Sequence, residues 1–390
     1  MRILFVHEVN YLTKPIYEMH EFPEHLAALG HEVAFWHFPE GYSKEQVTEL
    51  GFKKTMQGRV VKDAKITLFT PQFGDGGLFG RLLTASGAGR VAQRVIKDFK
   101  PDLIVSFSVP TQGWQLIAPA RRAGVPVLFR ALDVSHKIRT GIFSKLIYKA
   151  EQSVYRRANW LSANNPAMLD YCLSMGAKPA QSCVEWPPLD LQRFETASEP
   201  SGLKSSLGIP SDSKVILYMG SFFYFSGLPE VIREFAKNEG AEHLLLIGGG
   251  EQDQELRDLV SELDIGSRVT FTGFVSFDQL PGYLKLADVA INPMQRSLVA
   301  NAAIPNKVIQ YLAAGLTVVS TRLKGLEQTF GESSRLTLVE NAEEVVQSAI
   351  EACRRQSRND SEFHLGLERF TLERSVSAFE NRCSEVVQNA

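Results

Sequence analysis

Short apolar segments recur along the whole chain, separated by longer amphipathic or polar stretches. The apolar runs are nearly continuous, a pattern typical of strands that are covered on both faces by helices. The sequence therefore predicts a parallel α/β fold. The candidate strands of the first half are Ile3–Val6, Val33–Phe38, Ile66–Thr70, Leu103–Ser108, Val125–Ala131, Trp160–Asn164 and Cys183–Trp186. Those of the second half are Val215–Met219, Leu244–Ile247, Val269–Thr272, Val289–Asn292 and Leu316–Ser320.

The length of the chain indicates that these strands belong to two domains. A chain of 390 residues exceeds one average domain, so two domains of about 150–200 residues each are expected. Polar, turn-forming residues interrupt the strand series at 194–203. We predict an N-terminal domain over 1–194, a linker over 195–203, a C-terminal domain over 204–365, and a helix over 366–390 that ends the second domain or packs on the first. Two Rossmann-like, doubly wound domains facing a cleft would bind their ligand there, beyond the carboxyl ends of the strands.

Composition excludes several classes of protein. The 42 basic and 44 acidic residues leave a net charge of −2, and 44% of residues are hydrophobic, which argues against long disorder and against a nucleic-acid partner. There is no cleavable signal pattern and no apolar run of about 18 residues, so we expect a cytoplasmic protein, with attachment to the inner face of the membrane left open. The four cysteines lack metal-ligand spacing and are expected to be reduced, structural thiols.

The most specific stretch runs from Gly220 to Ser320, where strand, glycine turn and helix recur in order. It resembles the donor-binding domain of B-fold glycosyltransferases, specifically the family 4 group that uses nucleotide-activated sugars. The matching residues are Tyr218-Met219-Gly220-Ser221, Gly227-Leu228, residues 246–250, residues 271–275, Ala287-Asp288-Val289, Pro293 and residues 305–319. The N-terminal half carries a weaker likeness in Gly30-His31-Glu32-Val33, residues 100–104, residues 187–190 and Phe194. The resemblance spans nearly the whole chain.

This resemblance implies a glycosyltransferase that moves a sugar from a nucleoside-diphosphate donor to a hydroxyl acceptor and retains the configuration at the anomeric carbon. It also implies a role in the synthesis of glycans or cell-envelope glycoconjugates. Negative charge grows on the departing diphosphate, and N–H groups at helix N-termini can stabilise it without a metal. Two such helix starts are expected, after the turn Gly220–Gly227 and after Ala302–Asn306, with Pro305 in the first helical turn. The predicted donor-binding residues are Gly220, Ser221, Ser226, Gly227, Gly249, Phe274, Val275, Arg296, Asn306, Lys307 and Gln310.

The chain departs from the family pattern at two pairs of positions. Members carry an Arg and a Lys five positions apart in the glycine turn, where this sequence has Ser221 and Ser226. They also carry two Glu residues eight positions apart, where it has Ala302 and Gln310. Gln310 can still hydrogen-bond a ribose diol, but the missing cations would have made bonds about twice as strong as neutral ones. An active enzyme is favoured over two alternatives, a catalytically silent protein that binds a nucleotide sugar and a sugar-nucleotide epimerase.

Acceptor-side residues are expected at the ends of the N-terminal strands. Arg130 and Asp133 close one strand, and Asp133 is a candidate to position an acceptor hydroxyl or take its proton, with helix capping as the alternative. The predicted catalytic residues are Asp133, Lys307 and Arg130, and the predicted acceptor-binding residues are His7, Asn10, Lys14 and His136. The sequence has no Asp-x-Asp motif, so we expect no metal cofactor; the co-substrate is the nucleotide sugar.

A basic, partly apolar segment is a candidate membrane contact. Between residues 137 and 157, six cations stand against Glu151 alone and are interleaved with apolar side chains. A basic amphipathic helix can lie on an anionic surface, and a loop over 73–83 would assist it at a glycan or lipid-linked acceptor. The alternative is a helix that packs its apolar stripe on the sheet and leaves its basic face in solvent.

Overall fold

Two sheets, each in its own compact unit, organise the protein. The computed structural model describes residues 1–71, 78–138, 141, 143–331, 335–355 and 366–390. The N-terminal unit comprises Met1–Pro188 together with Leu372–Ala390, and the C-terminal unit comprises Leu189–Thr371. Nearly all neighbouring strands in both sheets are parallel, which confirms the predicted α/β fold.

The N-terminal sheet has the strand order β3-β4-β2-β1-β5-β6-β7-β8, with β3 antiparallel to β4. Its strands are β1 (Arg2–Val6), β2 (Glu32–Trp36), β3 (Lys53–Gln57), β4 (Lys65–Phe69), β5 (Leu103–Ser106), β6 (Val127–Ala131), β7 (Trp160–Ala163) and β8 (Ser182–Val184). The helices of this unit are α1 (Glu18–Ala28), α2 (Lys44–Leu50), α3 (Leu78–Phe99), α4 (Gly113–Arg122), α5 (Ser135–Ile138), α6 (Ser144–Arg157), α7 (Pro166–Ser174) and α17 (Leu372–Gln388).

Strand β1 shows why the apolar runs of this unit are continuous. Ile3 and Phe5 pack into a core on one face of the sheet, while Leu4 belongs to a second core on the other face. Helix α17 contributes to the first core, where the rings of Phe22 and Phe379 stack at 4.2 Å. The last helix of the chain therefore completes the N-terminal unit.

The C-terminal sheet has the order β11-β10-β9-β12-β13-β14, so β9 lies near its centre. Its strands are β9 (Val215–Ser221), β10 (His243–Gly249), β11 (Val269–Gly273), β12 (Val289–Asn292), β13 (Thr317–Thr321) and β14 (Leu336–Val339). The helices are α8 (Leu191–Glu195), α9 (Leu203–Ser206), α10 (Leu228–Ala236), α11 (Asp253–Glu262), α12 (Leu280–Leu284), α13 (Leu298–Ala302), α14 (Asn306–Ala313), α15 (Lys324–Phe330) and α16 (Ala342–Arg354).

Every predicted strand is present, with ends that differ from the prediction by at most two residues. Two further strands, β3 and β14, were not predicted. Both are edge strands: β3 is polar and mostly exposed, and β14 is short and only partly buried. Neither therefore has the continuous apolar run that marks a strand covered on both faces.

The unit boundaries differ from the predicted domain limits. The first crossing lies between Pro188 and Leu189, and α8 and α9 occupy parts of the segment around the predicted linker. Helix α8 belongs to the C-terminal unit because it packs against α14. The chain returns to the N-terminal unit at Leu372, whereas the predicted end of the second domain at residue 365 lies outside the described residues.

The predicted membrane-contact segments are mainly helical where they are described. The expected loop over 73–83 is part of α3 from Leu78 onward, which corrects that prediction, and the residues before Leu78 lie outside the described part. Residues 139, 140 and 142 of the second segment also lie outside it. Among the helices that are described, none has the length and apolar character needed to cross a membrane.

Candidate functional site

The loop after β9 turns sharply at two glycines. Gly220 has a φ angle of 140° and Gly227 one of 74°, conformations that residues with a side chain rarely adopt. A Cβ atom at Gly220 would lie 2.8 Å from Nζ of Lys307, and one at Gly227 would overlap the carbonyl group of Pro293. The two glycines therefore let the backbone pass close to α14 and to the end of β12. We call residues 220–227 the glycine turn.

Backbone hydrogen bonds fix the glycine turn at both ends. The buried Phe222 donates its N–H to the carbonyl of Gly249 at 2.9 Å and accepts from the N–H of Gln252 at 3.0 Å. The carbonyl of Phe225 accepts from the N–H of Gln295 at 2.9 Å. These bonds join the turn to the loops that follow β10 and β12, the two neighbours of β9. The side chains of the turn thus start from fixed positions.

Lys307 reaches the glycine turn from the first turn of α14. Pro305 has φ −64° and ψ 114° and is the N-cap of this helix, so it lies one residue before the first helical turn, in which it was predicted. Nζ of Lys307 donates to Oη of Tyr218 at 2.9 Å and lies 4.0 Å from the centre of that ring. Oη of Tyr218 donates in turn to the carbonyl of Ser221 at 3.0 Å. The phenol therefore positions the ammonium group at the start of the glycine turn.

The charge of Lys307 has no acidic partner within the described structure. None of the ion pairs found there at 4.0 Å or less includes its Nζ atom. Burial lowers the pKa of Lys307 to about 7. The lysine also stands near the positive end of the α14 dipole, which opposes its charged form. A bound anion would compensate both effects and raise the pKa again.

A cavity of about 190 Å³ opens beside this ammonium group, and we call it the lysine cavity. Its lining residues are Tyr218, Ser221, Phe223, Phe225, Ser226, Met294 and Lys307. One positive charge, two serine residues and the phenol supply its polar groups, while two phenyl rings and the thioether of Met294 form an apolar wall. A single cation with nearby hydroxyl donors is a set of groups that can bind phosphate.

Other predicted donor-site residues lie along the same edge of the sheet. The exposed ring of Phe274, after β11, lies over Gly249, where a Cβ atom would stand 3.2 Å from it. Val275 follows and is half-buried. Asn306 begins α14 and is exposed, and the half-buried Gln310 lies about one helical turn further on.

Arg296 is not brought to the lysine cavity. Its Nη1 donates to Oε2 of Glu340 at 2.5 Å, and the other oxygen of that carboxylate accepts from Nε of Arg322 at 3.0 Å. The two predicted diphosphate cations therefore differ in their surroundings: Arg296 is paired with a carboxylate, and Lys307 is not.

Arg130 lies in the interior of the N-terminal unit. Its Nε and Nη2 donate to the two carboxylate oxygens of Glu18 at 2.9 and 2.8 Å, and Nη1 donates to Oγ of Ser162 and to the carbonyl of Glu185, both at 2.7 Å. The side chain is fully buried. Arg130 thus joins the ends of β6, β7 and β8 to α1, and this structural role replaces the predicted catalytic one.

His7 and Asp133 follow β1 and β6 at the carboxyl edge of the same sheet, and Tyr17 directly precedes α1; we call these three residues the polar cluster. Desolvation and the negative charge of Glu18 raise the pKa of Asp133 to about 6. Desolvation, followed by the charges of Asp133 and Glu18, raises the pKa of Tyr17. Oη of Tyr17 lies 3.1 Å from Nε2 of His7, whose Nδ1 accepts the N–H of Glu8 at 2.9 Å. A neutral His7 therefore carries its proton on Nε2.

The remaining acceptor-side candidates have partners within the unit. Asn10 is buried, donates to the carbonyl of Glu40 at 2.9 Å and shapes the loop after β1. Nζ of Lys14 lies 4.0 Å from the carboxylate of Glu40. Nδ1 of the buried His136 lies 2.8 Å from the carboxylate of Glu151. Of the predicted residues, His7 lies within hydrogen-bond distance of Tyr17, and the charge of Asp133 acts on that same tyrosine.

Sequence reasoning missed Tyr218, Tyr17 and Glu18. Tyr218 lies within the stretch that carries the family resemblance, two residues before Gly220, and a phenol before a glycine turn was the available signal. Tyr17 and Glu18 stand at the start of α1, where an acidic residue is ordinarily explained by the helix dipole. Within the described ranges, no group of three or more His, Cys, Asp or Glu residues is arranged so that it could hold a metal ion.

Comparison with known families decides the assignment. The sequence model for "Glycosyl transferases group 1" matches residues 213–355, and the model for the "Glycosyl transferase 4-like domain" matches residues 18–184. The chain belongs to the group 1 glycosyltransferases. This membership confirms the resemblance seen in the sequence, including the region of the glycine turn and Lys307.

Three curated glycosyltransferases are similar to this group 1 glycosyltransferase. An uncharacterised glycosyltransferase of Methanocaldococcus jannaschii, MJ1607, is 31% identical over 33% of this chain and 32% of its own length. The putative colanic acid biosynthesis glycosyl transferase WcaI of Escherichia coli is 26% identical over 77% of this chain and 78% of its own. The lipopolysaccharide core biosynthesis glycosyltransferase LpsE of Rhizobium meliloti is 28% identical over 46% and 48%. The chain thus spans about a third, three quarters and half of these relatives.

Solved structures show the same fold over the whole chain. Sucrose-phosphate synthase from Thermosynechococcus elongatus has a TM-score of 0.71 at 16% identity and covers 100% of this chain and 98% of its own. HepE from Anabaena, solved in complex with UDP-glucose, has a TM-score of 0.68 at 17% identity and covers 100% and 99%. This group 1 glycosyltransferase therefore has the B-type fold that its sequence predicts.

Proposed function

We propose that the protein transfers a glycosyl group from a nucleoside-diphosphate sugar to a hydroxyl acceptor. One observation carries the proposal: the ammonium group of Lys307 is held at the glycine turn with no carboxylate of the described residues paired to it. Other family members carry an Arg and a Lys in the turn, at the positions of Ser221 and Ser226. The ammonium group of Lys307 takes the place of those two cations. We assign the donor to the C-terminal unit.

The proposed chemistry follows from the charge that develops on the leaving group. The bond between the anomeric carbon and a diphosphate oxygen breaks, and a bond to the acceptor oxygen forms. Lys307, the serine hydroxyls of the turn and the first N–H groups of α14 act on the growing negative charge. Because this charge is met by a lysine and by helix dipoles, the proposal needs no metal ion.

We assign the acceptor to the N-terminal unit, at the cluster of His7, Tyr17 and Asp133. Asp133 is ionised above its pKa of about 6 and can accept the hydroxyl proton at neutral pH. Retention at the anomeric carbon is proposed from the family resemblance. An acceptor belonging to an envelope glycan is supported by the similarity to WcaI, a putative colanic acid biosynthesis glycosyl transferase, and to LpsE, a lipopolysaccharide core biosynthesis glycosyltransferase.

Thermal unfolding in the presence of UDP, GDP, ADP, CDP and dTDP tests the donor assignment. A ligand present at 100 times its dissociation constant adds about 2.7 kcal/mol to the free energy of unfolding, so at least one nucleotide should raise the Tm. The nucleotide that does so selects the sugar donors for a product assay, in which NMR of the new linkage reports its anomeric configuration. If none of the five shifts the Tm, the donor assignment is wrong. If a nucleotide binds and no product forms with any acceptor, the silent binding protein becomes the better description.

We also propose that the acceptor is lipid-linked and is met at an anionic membrane surface, the cytoplasmic inner face. Leu146, Tyr148, Lys145 and Lys149 are exposed together on α6. Beside them an apolar groove of about 210 Å³ is lined by residues of α3, α4 and α6, including Trp114, which is 41% exposed. Cations beside exposed apolar side chains favour binding to acidic lipids.

Cosedimentation with vesicles of phosphatidylcholine, with and without phosphatidylglycerol, tests the membrane proposal. Binding should require the acidic lipid and should fall in the variant Lys145→Glu/Lys149→Glu. The matched control is Lys54→Glu/Lys65→Glu, which makes the same change of charge at exposed positions of β3 and β4. Equal loss in both variants, or binding without acidic lipid, would contradict a specific contact through α6.

A further inference from the structure

The glycine turn exposes three consecutive aromatic side chains. Phe223, Tyr224 and Phe225 are 37%, 65% and 47% exposed, although the turn that carries them is fixed at both ends. The rings of Phe223 and Phe225 stack with centroids 5.3 Å apart and an interplanar angle of 27°. These two rings line the lysine cavity, and Tyr224 does not. An apolar surface is therefore held in the same cavity as the ammonium group of Lys307.

Two apolar side chains, those of Phe274 and Met294, lie on opposite sides of β9 at this edge of the sheet. Phe274 follows β11 on one side of β9, and Met294 follows β12 on the other side. Met294 shares the lysine cavity with Phe223 and Phe225, whereas Phe274 lies over Gly249 at the end of β10. In a nucleotide sugar, the diphosphate separates the nucleoside from the sugar. A diphosphate at Lys307 therefore leaves one side for each, and the ring of Phe274 suits stacking with a base.

We propose that Phe223 and Phe225, with Met294, form the contact surface for the transferred sugar. The proposal rests on the donor assignment made above and adds a substrate class to it. The wall offers no charge, and apart from Lys307 and Tyr218 the polar side chains of the lining are two serines. Sugar hydroxyl groups or a carboxylate placed against phenyl rings would lose hydration without gaining partners. The wall therefore favours a 6-deoxy or N-acetylamino sugar, whose methyl group can pack on the rings, over a fully hydroxylated hexose or a uronic acid.

Competition binding with matched pairs of donors tests this preference. Each pair shares its nucleotide, so differences arise from the sugar: UDP-N-acetylglucosamine against UDP-glucose and UDP-glucuronate, and GDP-D-rhamnose, which is the 6-deoxy form, against GDP-mannose. For the nucleotide that binds, the methyl-bearing sugar should bind at least about tenfold more tightly, the lower end of what a methyl group contributes in an apolar pocket. Equal or reversed affinity within the pairs would overturn the proposal.

Two variants of the same turn identify the residues responsible. Phe223→Ala/Phe225→Ala should remove the preference among sugars and leave the affinity for the free nucleoside diphosphate within about twofold. Tyr224→Ala is the matched control, since it removes an exposed ring of the same turn that does not line the cavity, and it should change neither quantity. If the double variant weakens the free nucleotide as much as the sugar nucleotide, the rings contact the nucleoside and the proposal is wrong. If wild-type protein binds no free nucleotide, the proposed function itself has failed.

Discussion

Each unit of the protein holds a cation near the carboxyl edge of its sheet, and the two cations have different surroundings. Arg130 in the N-terminal unit is fully buried and makes a bidentate ion pair with Glu18. Lys307 in the C-terminal unit contacts a neutral phenol, and its pKa is lowered to about 7. A cation whose charge is already neutralised contributes to the fold, whereas one held without a counter-charge remains available to a ligand. The difference predicts opposite responses to mutation.

The largest expected effect is on stability, from Arg130→Met. Removing one member of a buried ion pair leaves an uncompensated charge and costs about 3–5 kcal/mol. Urea denaturation should therefore show a large loss in the free energy of unfolding, or no folded protein. The control is Arg355→Met, which removes an ion pair with Glu351 in which both side chains are exposed, a type of pair that contributes about 0–1 kcal/mol. Similar losses in the two variants would mean that Arg130 is not the structural cation inferred here.

Lys307→Met should have the opposite effect on the ligand-free protein. The folded state binds the proton of this lysine less tightly than the unfolded state does, so the charged lysine lowers stability below the unfolded pKa of about 10.4. The variant should therefore unfold at a higher Tm than the wild type at pH 7, and the difference should shrink as pH rises from 7 to 10. It should also lose roughly tenfold or more in nucleotide affinity, because a bond to a charged group contributes about 1.5–3 kcal/mol. Unchanged affinity in isothermal titration calorimetry would show that the phosphate site lies elsewhere.

A smaller and more specific effect is expected from pH and from Tyr218. The charged form of Lys307 binds the diphosphate, so affinity should fall as pH rises through about 7, the pKa of the free site. Tyr218→Phe removes the oxygen that accepts from Nζ and keeps the ring below it. Loss of that acceptor disfavours the ammonium form, so the inflection in a plot of affinity against pH should move to lower pH.

The control for this shift is Tyr311→Phe. Its hydroxyl group is also buried, but it bonds to the backbone of Met219 and not to Lys307. This variant should lose stability while its inflection stays in place. If both variants give the wild-type inflection, Tyr218 does not position Lys307.

The comparison between Arg130 and Lys307 also explains which parts of the site can be predicted from the sequence. Lys307 and Gly220 lie in motifs whose neighbours along the chain define a strand, a turn and a helix start, so their proximity follows from local structure and parallel topology. The role of Arg130 depends on Glu18, which is 112 residues away in the sequence. That of Arg296 depends on Glu340, 44 residues away. A side-chain ion pair of this kind leaves no motif or periodic signal around either residue, so the sequence does not distinguish a structural cation at the end of a strand from a catalytic one.

The fold was more predictable than the site for a physical reason. A strand covered on both faces must be apolar along its length, so β1, β5 and β9 can be recognised in the sequence by their continuous apolar runs. Edge strands such as β3 are free of that requirement and were missed. The polar cluster was predicted only in part, because Tyr17, which lies within hydrogen-bond distance of His7, is the N-cap of a helix that carries no motif.

The packing of α17 into the N-terminal core has a consequence for biosynthesis. Phe379 and Cys383 belong to the core that α17 shares with α1 and the first sheet, yet they leave the ribosome after every residue of the C-terminal unit. The N-terminal unit is thus translated first, but its core is completed last. Part of that apolar core stays exposed on the nascent chain while the C-terminal unit is synthesised. We expect chaperones to bind the apolar surface around Phe22 during synthesis, before α17 covers it.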